Sequence, residues 1–148
     1  MTLTDKSATV GQALKDLLIA DWDGLGVATK ADIYYGDQSK YPRTPAISVE
    51  MAPQDRNLNQ TGLQQRIVLR AYIMAIHSPL AAAEKRWKET DEFADRIVTQ
   101  LHTNRTLGGL VINGYVTGIE PGALRRGGML AVHRISWEAL SNYTMPGS

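Results

Sequence analysis

Cysteine is missing from this 148-residue chain. Its absence removes disulfides, thiolate metal sites and cysteine nucleophiles together, and with them zinc ribbons and cysteine proteases. Net charge is nearly missing too. The 16 Lys and Arg against 15 Asp and Glu leave +1 at pH 7, so nothing draws the whole molecule toward nucleic acid or an anionic membrane, and any contact with a polyanion is local. No apolar run approaches the roughly 18 residues of a membrane helix. The opening stretch Met1-Thr2-Leu3-Thr4-Asp5-Lys6-Ser7 has neither the basic start nor the apolar core of a signal peptide. A protein made and kept in the cytoplasm is expected, or one that leaves by a route this chain does not encode. Without a secretory signal, the Asn-x-Thr triplets at Asn59, Asn104 and Asn142 read as chance.

The familiar catalytic signatures are lacking as well. There is no Gly-Lys-Ser/Thr phosphate loop and no Gly-x-Ser-x-Gly elbow, which argues against nucleotide hydrolysis and against a serine hydrolase. Gly24-Leu25-Gly26 supplies two glycines of a dinucleotide fingerprint, but it follows a helix and lacks the third, so it reads as a helix stop.

What remains is the composition of a soluble globular protein, 43% hydrophobic and 21% charged, in one domain over residues 1–148. Val10, Ala13, Leu14, Leu17 and Leu18 recur at helical spacing, predicting an amphipathic helix from Asp5 to about Ala20 with Thr4 as its N-cap. A short strand is expected over Asp32–Tyr35, then a loop from Gly36 to Pro45. Between Pro45 and Pro53 the alternation of Ile47, Val49 and Met51 with Ala46, Ser48 and Glu50 predicts a strand with one buried face. Gln54 to Gly62 reads as a loop. Leu63 to Ile76 then alternates as a long strand, polar at first on its second face and apolar toward its end, which predicts cover on both sides there, by a helix and by a neighbouring subunit.

Ser78-Pro79 is an N-cap followed by a proline at the first helical position, and predicts a long helix starting there. Its apolar stripe is Leu80, Ala83, Trp87, Phe93, Ala94, Ile97, Val98 and Leu101, with Glu84/Lys88 and Glu92/Arg96 paired on exposed turns and Asn104 as the stop. A strand weakened by Gly114 and Gly118 is expected to reach Glu120. Pro121 to Gly128 reads as a loop tip bearing Arg125 and Arg126, and Met129 to Ala139 as the closing strand of a hairpin. The tail from Asn142 is expected to fray. Together these elements predict an α+β fold: an antiparallel or mixed β-sheet with two main helices packed on one face.

Candidate chemistry is sparse. His77, His102 and His133 lie far apart, and each has a structural role open to it, His102 as a cation at a helix C-terminus. Asp91 and Asp95, with Glu92 beside them, stand one turn apart and read as a solvated acidic face rather than an acid/base pair. Arg125 and Arg126 between glycines suit a contact outside the subunit, with carboxylates of another protein favoured over phosphate. No residue set amounts to an active site. Neither cofactor nor metal is expected, and the chain does not read as an enzyme.

The order of elements carries one resemblance. An amphipathic first helix, the Pro-flanked strand Thr44-Pro45-Ala46-Ile47-Ser48-Val49-Glu50, a long strand with alternating Arg, the Ser-Pro-capped helix running into Leu101-His102-Thr103-Asn104-Arg105-Thr106-Leu107-Gly108-Gly109, and the closing Ile119-Glu120-Pro121-Gly122 and Arg134-Ile135-Ser136-Trp137-Glu138-Ala139 together resemble the tail terminator proteins of tailed bacteriophages. The likeness covers about Val10 to Tyr143. It implies a ring, usually of six copies, that caps the tail tube, stops its polymerisation and offers the surface to which the head attaches. The implied partners are other copies of the chain, the tail tube protein and the head–tail connector protein, with DNA only passing through the lumen and no membrane contact. The implied place is the virion tail, after synthesis in the host bacterial cytoplasm. Residues 54–62 and 120–128 are expected to point along the tube axis. Arg125, Arg126, Asp55, Arg56, Arg66 and Arg70 are the candidate interaction residues. Two other classes stay open: another head–tail connector or neck protein of a tailed phage, and a small ligand- or nucleic-acid-binding α+β domain.

Overall fold

The computed structural model describes residues 3–52, 64–80 and 87–144. The expected loop 54–62, with Asp55 and Arg56, lies outside them, as do Ala83 and Glu84. The described chain is a mixed five-stranded sheet with its helices on one face, an α+β fold. Helix α1 spans Leu3–Ile19, so the Thr4 expected as its cap lies inside the first turn. A second short helix, α2 (Trp22–Leu25), takes up the residues read as a stop, and Gly26 ends it at φ 91°, a left-handed conformation open to glycine. A 3-10 turn over Lys30–Asp32 leads into β1 (Ile33–Tyr35). Then come β2 (Ala46–Met51), β3 (Gln64–Pro79), α3 (Trp87–Leu101), β4 (Asn113–Arg125) and β5 (Met129–Thr144).

The strand order is β1-β2-β3-β5-β4, with β1 parallel to β2 and the other pairs antiparallel. Period-two alternation decides what is buried. Leu69, Ala71, Ile73 and Ala75 of β3 and Ile135, Trp137 and Ala139 of β5 all face the helices. There they meet Val10, Leu14 and Leu18 of α1 and Phe93, Ala94, Ile97 and Leu101 of α3 in one core. From Phe93 to Leu101 the apolar stripe expected for α3 is therefore the buried one, with Val98 at its margin.

Four expectations are corrected. Ser78 and Pro79 close β3 opposite Ala131 and Leu130 instead of opening the helix, after a register shift between Ile76 and Ser78; Leu80 is the first helical residue beyond them. Pro121 to Arg125 belong to β4 and only 126–128 make the turn. Pro121 is tolerated because β4 is an edge strand with no ladder on its outer side to receive a missing N–H. The closing strand continues past Ala139 to Thr144, so Asn142 pairs opposite Arg66 rather than fraying. And the apolar end of the second face of β3 is covered by the chain itself: Ile76 packs with Ala46, Leu130, Val132 and the loop residue Tyr41 in a second, smaller cluster.

Glycine matters at the open edge. A Cβ at Gly114 would run into the Trp137 indole, so the edge strand approaches the core only because this position has none. Just before β4 the turn holds Leu107 at φ 51°, unusual for a residue with a Cβ, while its side chain stays buried against the main core.

Candidate functional site

The face of the sheet turned away from the helices is closed at one end and open at the other. At the open end Val68 of β3 and Tyr115 of β4 are 45% and 44% exposed. Between the two ends runs a lattice of cross-strand charges set by the register. Arg70 stands opposite Glu138 and donates from Nε to Oε1 at 3.2 Å. Arg134 stands opposite Glu120, donates from Nη2 to Oε2 at 3.1 Å, and lies 4.8 Å from the centre of the Tyr72 ring. Such pairs fix neighbours on a pleated surface without drying it.

The closed end is built by the loop 36–45. Tyr41 inserts over the sheet, edge-on to Tyr34 at a centroid distance of 5.3 Å. Its hydroxyl donates to Asp37 Oδ1 at 2.8 Å and accepts the Gln38 N–H at 3.1 Å. Asp37 in turn takes the Arg126 guanidinium, with Nε at 3.2 and 3.1 Å from its two carboxylate oxygens and Nη2 also on Oδ2. Arg126 donates from Nη1 to the Arg125 carbonyl at 2.7 Å. These hydrogen bonds from Arg126 hold the Asp37 carboxyl below its ordinary range against a partial desolvation that pushes it up. Burial raises the Tyr41 phenol.

The candidate interaction residues thus have different surroundings. Arg126 finds its forked carboxylate partner inside its own chain, which corrects the expectation that both tip guanidinium groups reach outward. Arg125, the last residue of β4, is exposed. Arg70 is engaged with Glu138 on the outer face. Arg66 sits in β3 opposite Asn142, and Asp55 and Arg56 fall outside the described residues. Sequence reasoning passed over Asp37, Tyr41, Glu138, Glu120 and Arg134. Their opposite charges were visible, but the register that makes them neighbours was not.

On the helix face, His133 Nε2 lies 2.9 Å from Asp91 Oδ1 beneath the described start of α3, so Asp91 is a partner of a buried histidine rather than part of a purely solvated acidic face. His133 Nδ1 is buried with no hydrogen-bond partner among the described residues. His77 Nδ1 lies 3.0 Å from Ser78 Oγ, and its ring leans on Phe93. His102 accepts the Val116 N–H on Nε2 at 3.1 Å, so it caps the edge strand from the end of the helix. Among the described residues no group of three or more His, Asp or Glu is placed to hold a metal ion, and no helix is long and apolar enough to cross a membrane.

Open grooves lie on the helix side. One of ≈400 Å³ runs between α2 and α3, with Asp21, Glu92 and Asp95 around Arg96. Another of ≈590 Å³ follows α1 past Ala8, Gln12 and Asp16 toward Tyr35 and Leu110. Neither gathers a nucleophile with a base or an oxyanion donor pair. No family profile matches the chain, and no curated protein matches it significantly.

Proposed function

We propose that the chain is a structural subunit of the tail terminator kind, which closes into a ring on the end of a phage tail tube, stops tube growth and presents the surface for head attachment. One observation carries the reading: large apolar side chains left in water gather along the long open edge. Ile112, Tyr115 and Ile119, between 39% and 44% exposed, lie on β4 or beside it, and Met129, 40% exposed, opens β5 opposite Arg125. Among the described residues, the same edge carries unpaired backbone beyond Val116, where the caps from Arg105 and His102 end. A subunit with such an edge lowers its free energy by covering it with another copy, and a rotation that closes leaves no copy with a free edge.

In this reading the partners are further copies of the chain, six in the assembled ring, then the tail tube protein on one side and the head–tail connector protein on the other. DNA passes through the lumen, and the place of action is the virion tail. The reading includes no reaction, no cofactor and no membrane. Arg125, free of the latch that occupies Arg126, is the guanidinium assigned to a carboxylate of the next copy or of the tube.

Deleting the gene from a phage that carries it is expected to give tails of uneven, excessive length that fail to join heads, as scored by electron microscopy. Tails of normal length joined to heads would overturn the reading. In native mass spectrometry of tail ends, six copies are expected, and a single bound copy would remove the ring.

A further inference from the structure

The loop 36–45 rests on the sheet in an unusual way. Of its ten residues only Tyr41 is buried. The apolar surface beneath it belongs to strands: Ala46, Ile76, Leu130 and Val132, with Tyr34, Met74 and Leu124 at the margin. Those strand residues hold their places through the β ladders, so the loop can leave without breaking the sheet.

Its first residue stays tied to β2, the Gly36 N–H donating to the Val49 carbonyl at 2.7 Å; beyond it, side chains fasten the loop at two points. At its start, Asp37 grips Arg126 across the hairpin turn. At its end, Arg43 Nε donates to Asp32 Oδ1 at 3.2 Å and Arg43 Nη2 to Thr29 Oγ1 at 3.2 Å, and the Asp32 side chain is buried in the 3-10 turn. The second fastening is tied into the fold. The first joins two side chains that are each about 30% exposed.

Between β1 and the first fastening stands Gly36, at φ 87° and with no atom of the described residues beyond its chain neighbours within 4 Å of the position a Cβ would take. This residue has both the conformational freedom and the space of a pivot. On the other side the loop closes directly on the turn: the Lys40 Cβ lies 3.4 Å from the position a Cβ on Gly127 would take.

We propose that residues 37–42 are a releasable strap, which swings about Gly36 when Asp37 lets go of Arg126 and bares the apolar end of the outer sheet face. Closed, the strap hides Ile76, Val132 and Leu130 behind Tyr41. Open, it joins that patch to Met74 and Tyr72, and the outer face becomes apolar from one end toward its middle. The charged and titratable groups around the latch are Arg126 and Arg125 of the hairpin, Lys40 and Tyr41 of the strap, and Glu50 of β2. The strap thus sets how much apolar surface the sheet offers, through one ion pair far from the core. It does not depend on the ring reading, because every group involved lies within one subunit.

The test combines hydrogen exchange with limited trypsin digestion of the full chain, followed by intact mass. In Asp37→Asn and in Arg126→Gln, the Gln38 amide, which donates to Tyr41 in the closed strap, is expected to exchange about tenfold faster, and cleavage after Lys40 to accelerate alike, by local opening. Amides of β3 and β5 should keep their wild-type rates. The exchanged pair Asp37→Arg with Arg126→Asp is expected to restore slow exchange at the Gln38 amide. Unchanged exchange at Gln38 in the single variants would overturn the strap. So would a rise shared equally by β3 and β5, because the loop would then open only with the whole fold.

Discussion

The two faces of β3 and β5 are made by alternate residues of the same strands, yet they live in different solvents. Toward the helices, Leu69, Ile73 and Ile135 are fully buried and Trp137 nearly so, in one continuous apolar layer. Toward the other side, Val68, Arg70, Arg134 and Glu138 meet water or each other, and only the end under Tyr41 is dry. The difference teaches where stability and availability separate. The helix face holds the domain together, and the outer face holds its shape by cross-strand pairs that can be exchanged one at a time.

The contrast predicts its own ranking of mutational costs. Phe93→Ala empties the contact between α3 and the sheet at a fully buried position and is expected to cost about 3–5 kcal/mol in urea unfolding. A loss under about 1 kcal/mol, ordinary for a surface site, would erase the distinction between the faces. Tyr41→Ala removes the plug of the smaller cluster. Because the loop can collapse onto the sheet, the loss should be about 1–3 kcal/mol, smaller than at Phe93; a loss equal to that at Phe93 would make the outer cluster a second core.

Acid provides a gentler break. The Asp37 carboxyl is held below its ordinary value of 3.8 by Arg126, so its contribution is complete above the unfolded value and disappears as pH falls through the lower folded one. The gap in melting temperature between wild type and Asp37→Asn should therefore be constant near neutrality and shrink only below about pH 4. A gap that shrinks between pH 8 and 5 would assign the effect to another group. Arg70→Ala breaks only an exposed pair with Glu138, and its effect on the unfolding midpoint should correspond to less than about 1 kcal/mol.

Much of this arrangement was legible in the residues. The alternation through Leu69, Ala71 and Ile73 named the buried face of β3, and the spacing of Phe93, Ile97 and Leu101 named the stripe of α3, because each is a local periodicity imposed by one core. Non-local pairings were harder to read. Pro121 reads as loop until the strand order makes β4 an edge, where a missing N–H costs nothing. Ser78-Pro79 reads as a helix start until Ala131 and Leu130 turn out to lie opposite. The pair Asp37–Arg126 spans 89 positions in sequence, and no pattern within either segment announces the other. The candidate surface was half visible: Arg125 and Arg126 stood out at once, but only the loop's return to the hairpin tip separates the one engaged with Asp37 from the one with no partner among the described residues.

The strand order also bears on how the molecule comes into being. β3 and β5, each of 16 residues, form the longest ladder and occupy the middle of the sheet, while β4, made earlier than β5, hangs on its far side. On the ribosome, β1, β2 and β3 can pair while β3 keeps one whole edge unoccupied and β4 has no partner at all. Only when Met129 to Thr144 have emerged does a single strand supply both missing ladders at once. The growing chain therefore carries an open sheet edge until β5 has been made, the condition under which strands of neighbouring nascent chains find each other. Losing β5 would take out an interior strand of the sheet rather than its margin.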